Sequence, residues 1–147
     1  MTKILTEDEY VDSVYNEIKS LILNARRRVV SYINTEHLDL YWNIGCIIMK
    51  VQQGEVRAKY GAKVLDKISA KLTYEFGSGY SVRNLRLMRN FYNCYQIRQA
   101  MPAELSWSHH IELLVIKNKE ERDFYIQECI NSRWDYRTLR RQIKSKL

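Results

Sequence analysis

The chain has 147 residues with one proline and five glycines, too few turn-formers for a fold of many short strands, and its apolar residues recur at helical spacing. Its formal net charge is +7 and unevenly spread, the footprint expected of a polyanion binder, and no apolar run approaches the 18 residues a membrane helix needs. Three dispersed cysteines, Cys46, Cys94 and Cys129, form no Cys-x-x-Cys pair; a zinc site or disulfide framework is not indicated, and a reducing cytoplasm is the default expectation.

Taken in order, Thr6 and Glu9 form a capping box, with Glu7 and Asp8 well placed against the positive end of a helix dipole. Val11, Val14, Ile18, Leu21, Ala25 and Val29 then recur every three or four residues and predict a long first helix over 6–35. Such a length exceeds what a small domain usually covers. Later helices packing along it are the favoured reading, with pairing to a second copy as the other. Arg26, Arg27 and Arg28 point to three different sides, so one or two at most can serve a single ligand.

Asn34 or Thr35 can cap a second, central helix over 36–53, with Leu38, Tyr41, Trp42, Ile44, Ile47 and Ile48 spread around its circumference. Gly45 costs that helix roughly 1 kcal/mol against alanine, which implies a close helix crossing. Gln52, Gln53 and Gly54 end the helix, and a helix-turn-helix-like unit is expected over 57–95.

Its first helix carries Lys59, Lys63, Lys67 and Lys71 at four-residue intervals, a ladder suited to phosphates. Gly77 and Gly79 supply the positive-φ positions of a tight reversal, and Ser81 caps the second helix. On that helix Leu85, Met88, Phe91, Tyr92 and Tyr95 share one side, while Arg83, Arg86, Arg89, Asn90 and Asn93 share the other without an acid among them. Arginine and asparagine are the side chains that read guanine and adenine edges in a major groove. Residues 61–100 also hold the largest local charge excess, seven bases against two acids.

Pro102 marks a break, and a short helix is expected over 107–116 after Ser106 or Ser108. Adjacent His109 and His110 diverge by about 100° and cannot chelate one ion together, so a structural role is favoured and no metal or cofactor is expected. Asn118 with Glu121 is a further capping box. Beyond it, residues 133–140 repeat the phrase at 79–86: an aromatic, a capping Asp or Ser, then Arg-x-Leu-Arg. Arg137, Arg141 and Lys144 make a second basic face opposite Leu139 and Ile143; the two readings are a second helix-turn-helix-like unit within the C-terminal helices of 106–147 and a capping habit shared without shared function. The terminal Ser145-Lys146-Leu147 is read as a chance match to a peroxisomal address.

The phrases Leu40-Tyr41-Trp42-Asn43-Ile44-Gly45, Tyr60-Gly61-Ala62-Lys63-Val64, Gly79-Tyr80-Ser81-Val82-Arg83-Asn84-Leu85, Leu105-Ser106-Trp107-Ser108-His109-His110 and Trp134 with 137–143 resemble the YhcG-type amino-terminal domain, domain of unknown function 1016. The resemblance implies a DNA-binding domain that usually precedes a PD-(D/E)xK nuclease domain, in mobile-element or defence contexts. The chain departs from that pattern at Gly77 and Ser106, where proline is common, and it stops where the nuclease would begin. Its single Glu-x-Lys triplet, Glu17-Ile18-Lys19, falls on a predicted helix, where residues two apart face apart. A non-catalytic chain is therefore expected: an all-α, multi-helix single domain over 1–147 that binds nucleic acid, in particular double-stranded DNA. Arg83, Arg86, Arg89 and Asn90 would approach bases, while Lys63, Lys67, Lys71, Arg137, Arg141 and Lys144 would hold phosphates. The competing expectation is a protein-interaction or homodimerisation module built on the first helix and its exposed Tyr10 and Tyr15.

Overall fold

A computed structural model describes residues 6–51 and 63–145. The expected helix stop at 52–54, Lys59, the phrase at 60–62 and the last two residues lie outside them. The described residues form six helices and no strand: α1 (Glu7–Val51), α2 (Lys63–Phe76), α3 (Val82–Cys94), α4 (Trp107–Leu113), α5 (Lys119–Ser132) and α6 (Tyr136–Lys144), with a 3-10 turn at Arg98–Ala100. The all-α expectation holds.

The start of α1 is the predicted capping box: the Glu9 amide donates to Thr6 Oγ1 at 3.1 Å, and the Thr6 amide to the Glu9 carboxylate at 3.4 Å. The expected break at Asn34 or Thr35 does not occur. α1 runs uninterrupted for 45 residues, roughly 67 Å at 1.5 Å per residue. Both side chains find partners that leave the helix intact. Thr35 donates back to the Ser31 carbonyl at 3.0 Å, and Asn34 Nδ2 reaches across to the carbonyls of Ala103 and Leu105, each at 3.1 Å. The "first" and "central" helices are thus two halves of one rod.

Those halves live in different surroundings. From Asn34 onward α1 is the wall of the globular part, with Leu38, Gly45 and Ile48 buried. Every residue of 6–33 is exposed. Packing of later helices along this stretch, the favoured expectation, is absent among the described residues; the later helices all gather on the second half.

The α1–α3 crossing is the main packing seam. Gly45 sits where α3 passes: a Cβ there would collide with the Met88 carbonyl oxygen, lie 2.7 Å from its carbon, and lie 3.0 Å from Tyr92 Cβ. Around it one core joins Ile48, Leu65, Leu85 and Met88, and a second joins Leu38, Phe91, Tyr95 and Met101. Trp42 Nε1 donates to the Tyr95 carbonyl at 2.6 Å and Arg98 pairs with Asp39, so the end of α3 and the turn after it are tied to α1. A third core, with Leu113, Ile126, Cys129 and Leu139 among its members, holds α4, α5 and α6 together. Trp107 packs against both of the first two cores.

Both histidines of α4 are built into this scaffold. His109 accepts from Ser106 Oγ through Nδ1 at 2.7 Å and donates through Nε2 to the Trp134 carbonyl at 2.7 Å, which fixes the neutral Nε2–H tautomer. His110 is fully buried and donates to the Pro102 carbonyl at 3.0 Å. Burial lowers its pKa to about 4. α4 itself ends at Leu113, three residues before the expected end at 116.

Candidate nucleic-acid interface

The turn between α2 and α3 has the predicted construction. Gly77 and Gly79 adopt φ values of 85° and 109°, the left-handed region that penalises a Cβ. Ser81 follows in extended conformation and accepts the Asn84 amide at 3.1 Å, starting α3. Ser69 Oγ of α2 donates to the Tyr80 carbonyl at 2.7 Å, pinning the turn to the preceding helix. α3 then buries Leu85, Met88 and Phe91, and its remaining circumference is left for polar groups.

Arg83, Arg86, Asn90 and Asn93 lie exposed on that circumference. Among the described residues the ion pairs are Arg98–Asp39, Lys119–Asp123 and Arg140–Glu112, so neither Arg83 nor Arg86 is paired to a carboxylate. Arg89 is placed differently. It is half-buried at the margin of the face, and its guanidinium donates to Asn90 Oδ1 at 3.2 and 3.4 Å. The Asn90 oxygen, the acceptor that bidentate adenine recognition needs, is thus engaged by its neighbour.

Lys63, Lys67 and Lys71 are exposed on α2, while Leu65 and Ser69 of the same helix face the core. α2 and α3 share the core of Ile48, Leu65, Leu85 and Met88, so the lysine ladder and the Arg83–Arg86 pair lie on two consecutive helices anchored in one core.

Arg137, Arg141 and Lys144 are also exposed, on α6, which rests on the third core through Leu139. The sequence repeat is a structural one. Arg133, aligned with Gly79, has φ 52° and ψ 45°, a left-handed conformation for a non-glycine residue. Asp135, aligned with Ser81, caps α6 by accepting the Thr138 amide at 2.7 Å. Leu139, aligned with Leu85, is likewise fully buried. The chemistry of the two faces differs. Arg137 donates to the Tyr136 hydroxyl and stacks 5.5 Å from its ring, Arg141 donates to Thr138 Oγ1, and Arg140 is taken up by Glu112 at 2.6 Å. The Asp135 carboxylate, its pKa lowered by the Thr138 amide bond and further by Arg141 and Arg137, adds a negative charge beside this face. The ten expected residues therefore fall into two groups on two cores, seven on α2–α3 and three on α6.

Sequence reasoning missed Arg122. It is buried on α5 and donates to the Ile116 carbonyl at 2.9 Å, although its sequence neighbours Glu121 and Asp123 are both acidic. No group of three or more His, Cys, Asp or Glu suited to a metal occurs among the described residues. Glu17 and Lys19 lie on the exposed half of α1, so the Glu-x-Lys triplet is helical. No helix among the described residues is long and apolar enough to cross a membrane.

Comparison with known proteins places this geometry in context. The family model described as the DUF1016 N-terminal domain matches residues 17–147. The Escherichia coli (strain K12) protein named "Putative nuclease YhcG" is 31% identical over 166 residues, covering 90% of this chain. The chain spans 44% of that relative's length. No solved structure matches it.

Proposed function

Because the chain belongs to the DUF1016 N-terminal domain family, we propose that it is a DNA-binding module of a nuclease-associated protein, without a catalytic site of its own. The observation that carries this reading is the pair Arg83 and Arg86, exposed and free of carboxylate partners among the described residues, on a helix whose opposite face is anchored in the core. α3 presents them after a glycine turn, and α2 contributes Lys63, Lys67 and Lys71 beside them. In this reading Arg83 and Arg86 approach base edges with the Asn90 amide, Arg89 orients Asn90, and the α2 lysines hold phosphates. Arg137, Arg141 and Lys144 extend phosphate contact from α6. The relative's name is that of a nuclease; carried to this chain, the module would deliver a nuclease domain or subunit to double-stranded DNA.

The test is titration of labelled random duplex at several salt concentrations. Changing Lys63, Lys67 and Lys71 to Gln should reduce the log–log salt slope by up to about 2.7, at about 0.9 per phosphate neutralised. Changing Arg83 and Arg86 to Gln should flatten the preference among duplex sequences. Unchanged affinity and slope in both variants would overturn the reading.

A second reading, self-association, is favoured by a separate observation: the first half of α1 exposes Tyr10, Tyr15, Ile18 and Leu21 with nothing packed against them among the described residues.

A further inference from the structure

We propose that residues 10–33 of α1 pair antiparallel with the same stretch of a second copy of this chain. The inference deepens the self-association reading and is independent of the DNA reading. Its starting point is the length and continuity of the apolar stripe. Val11, Val14, Ile18, Leu21, Ile22 and Val29 lie within about 100° of one another around the helix, and all are exposed, Leu21 to 65% and Ile18 to 51%. The stripe extends for roughly 27 Å along the axis. A polar or randomly apolar surface helix has no such seam, and a helix projecting without packing lacks the main source of helix stability.

The stripe is large enough for the task. Roughly nine apolar side chains per copy, at roughly 60–120 Å² each, bury on the order of 1,000–2,000 Å² in total, the range of stable interfaces.

Charge decides the direction. Residues 7–18 carry Glu7, Asp8, Glu9, Asp12 and Glu17 and no base; residues 19–33 carry Lys19, Arg26, Arg27 and Arg28 and no acid. At about 100° per residue, Asp8, Asp12, Lys19 and Arg26 border one edge of the stripe, and Glu17 and Arg28 border the other. An antiparallel two-fold lays each edge against its own reverse. With the axis near Leu21, Asp12 comes within about one turn of Arg26 of the partner subunit and Glu17 within about one turn of Arg28 of the partner subunit, two attractive pairs per copy against one repulsive approach of Lys19 to Arg26 of the partner subunit. Parallel pairing sets Asp12 toward Glu17 of the partner subunit and Arg26 toward Arg28 of the partner subunit, like against like at both ends, with Lys19 toward Glu17 of the partner subunit as the one favourable pair.

The test uses the full chain. Light scattering should give the mass of two chains at tens of micromolar, and Ile18→Glu with Leu21→Glu should give the mass of one. Because every residue of 6–33 is exposed, the globular part should keep its near-ultraviolet circular dichroism. Direction is read from spin labels at Ser13, Ser20 and Ser31, each changed singly to Cys after replacing Cys46, Cys94 and Cys129. All three serines face away from the stripe, so antiparallel pairing predicts the shortest distance at Ser20 and longer ones at Ser13 and Ser31, whose partner positions are displaced along the axis by about 24 Å and about 30 Å. A single-chain mass for the native protein, or a dimer that survives the double glutamate change, would overturn pairing through this stretch. Equal distances at all three positions would overturn the antiparallel direction while leaving self-association standing.

Discussion

Replacing Gly45 with alanine pits two effects of opposite sign against each other. Judged by helix propensity, the change should stabilise α1 by about 1 kcal/mol. The crossing says otherwise. A Cβ at this position would lie 2.7 Å from the Met88 carbonyl carbon, against the 3.4 Å at which ordinary contact begins. The obstacle is backbone inside a helix, not the end of a side chain that can swing away, so α1 and α3 must part by at least about 0.7 Å. A gap of that size forfeits a quarter to a half of each dispersion contact it opens, and this seam carries Leu38, Ile48, Leu85, Met88 and Phe91, all at or below 2% exposure. Overpacking costs about 1–3 kcal/mol; taking the upper end and subtracting the propensity gain leaves about 2 kcal/mol of net destabilisation. In urea, with a slope of about 2 kcal/mol per molar, the midpoint should fall by about 1 M at fixed protein concentration. A midpoint that rises instead would mean the helices do not meet at Gly45, and the seating of α3 described above would be wrong.

Two further perturbations test the scaffold. His110 is neutral in the folded protein down to about pH 4, while in the unfolded chain it protonates near 6.5. Stability is therefore fully present above the unfolded value and falls as pH drops from about 6.5 to about 4, by up to about 3 kcal/mol. Thermal midpoints between pH 7 and 4.5 should show that loss, and an imidazole resonance of His110 titrating near 6.5 would contradict it. Asn34→Ala removes the donor shared by the Ala103 and Leu105 carbonyls. It should cost about 1 kcal/mol in urea unfolding, whereas propensity alone predicts a gain; a stabilised variant would show that the tie between α1 and the segment before α4 carries no weight.

Much of the fold could be read from single residues because caps and glycines act locally. Thr6, Ser81, Asn118 and Asp135 each bond an amide three residues on, so their signal is complete within a few positions of sequence. Gly45 was legible for another reason: its cost within a helix has few explanations besides a close crossing. Asn34 and Thr35 misled because a side chain that can cap a helix can equally bond a distant or a preceding carbonyl, and only the packed chain decides which. Periodicity located the apolar stripe of α1 but carries no information on what covers it. Long-range partners were invisible, as with Arg98 and Asp39, 59 residues apart, or Arg122 turned inward among acids. Within the candidate interface the exposure of Arg83 and Arg86 followed from helical phase. The capture of the Asn90 oxygen by Arg89 did not, because two adjacent residues on a helix are nominally 100° apart and meet only through a long guanidinium arm.

The unbroken course of α1 makes it a keyed shaft. No glycine or proline interrupts it from Glu7 to Ile44, so the bearing of α3 is locked in azimuth to whatever grips the free end. Inserting one residue among 24–33 would turn the arginine ridge about 100° around the shaft and advance it about 1.5 Å, while removing seven would restore its bearing to within about 20° and draw it in by about 10 Å. The grip at the tip thus sets not only how far away the ridge stands but which way it looks.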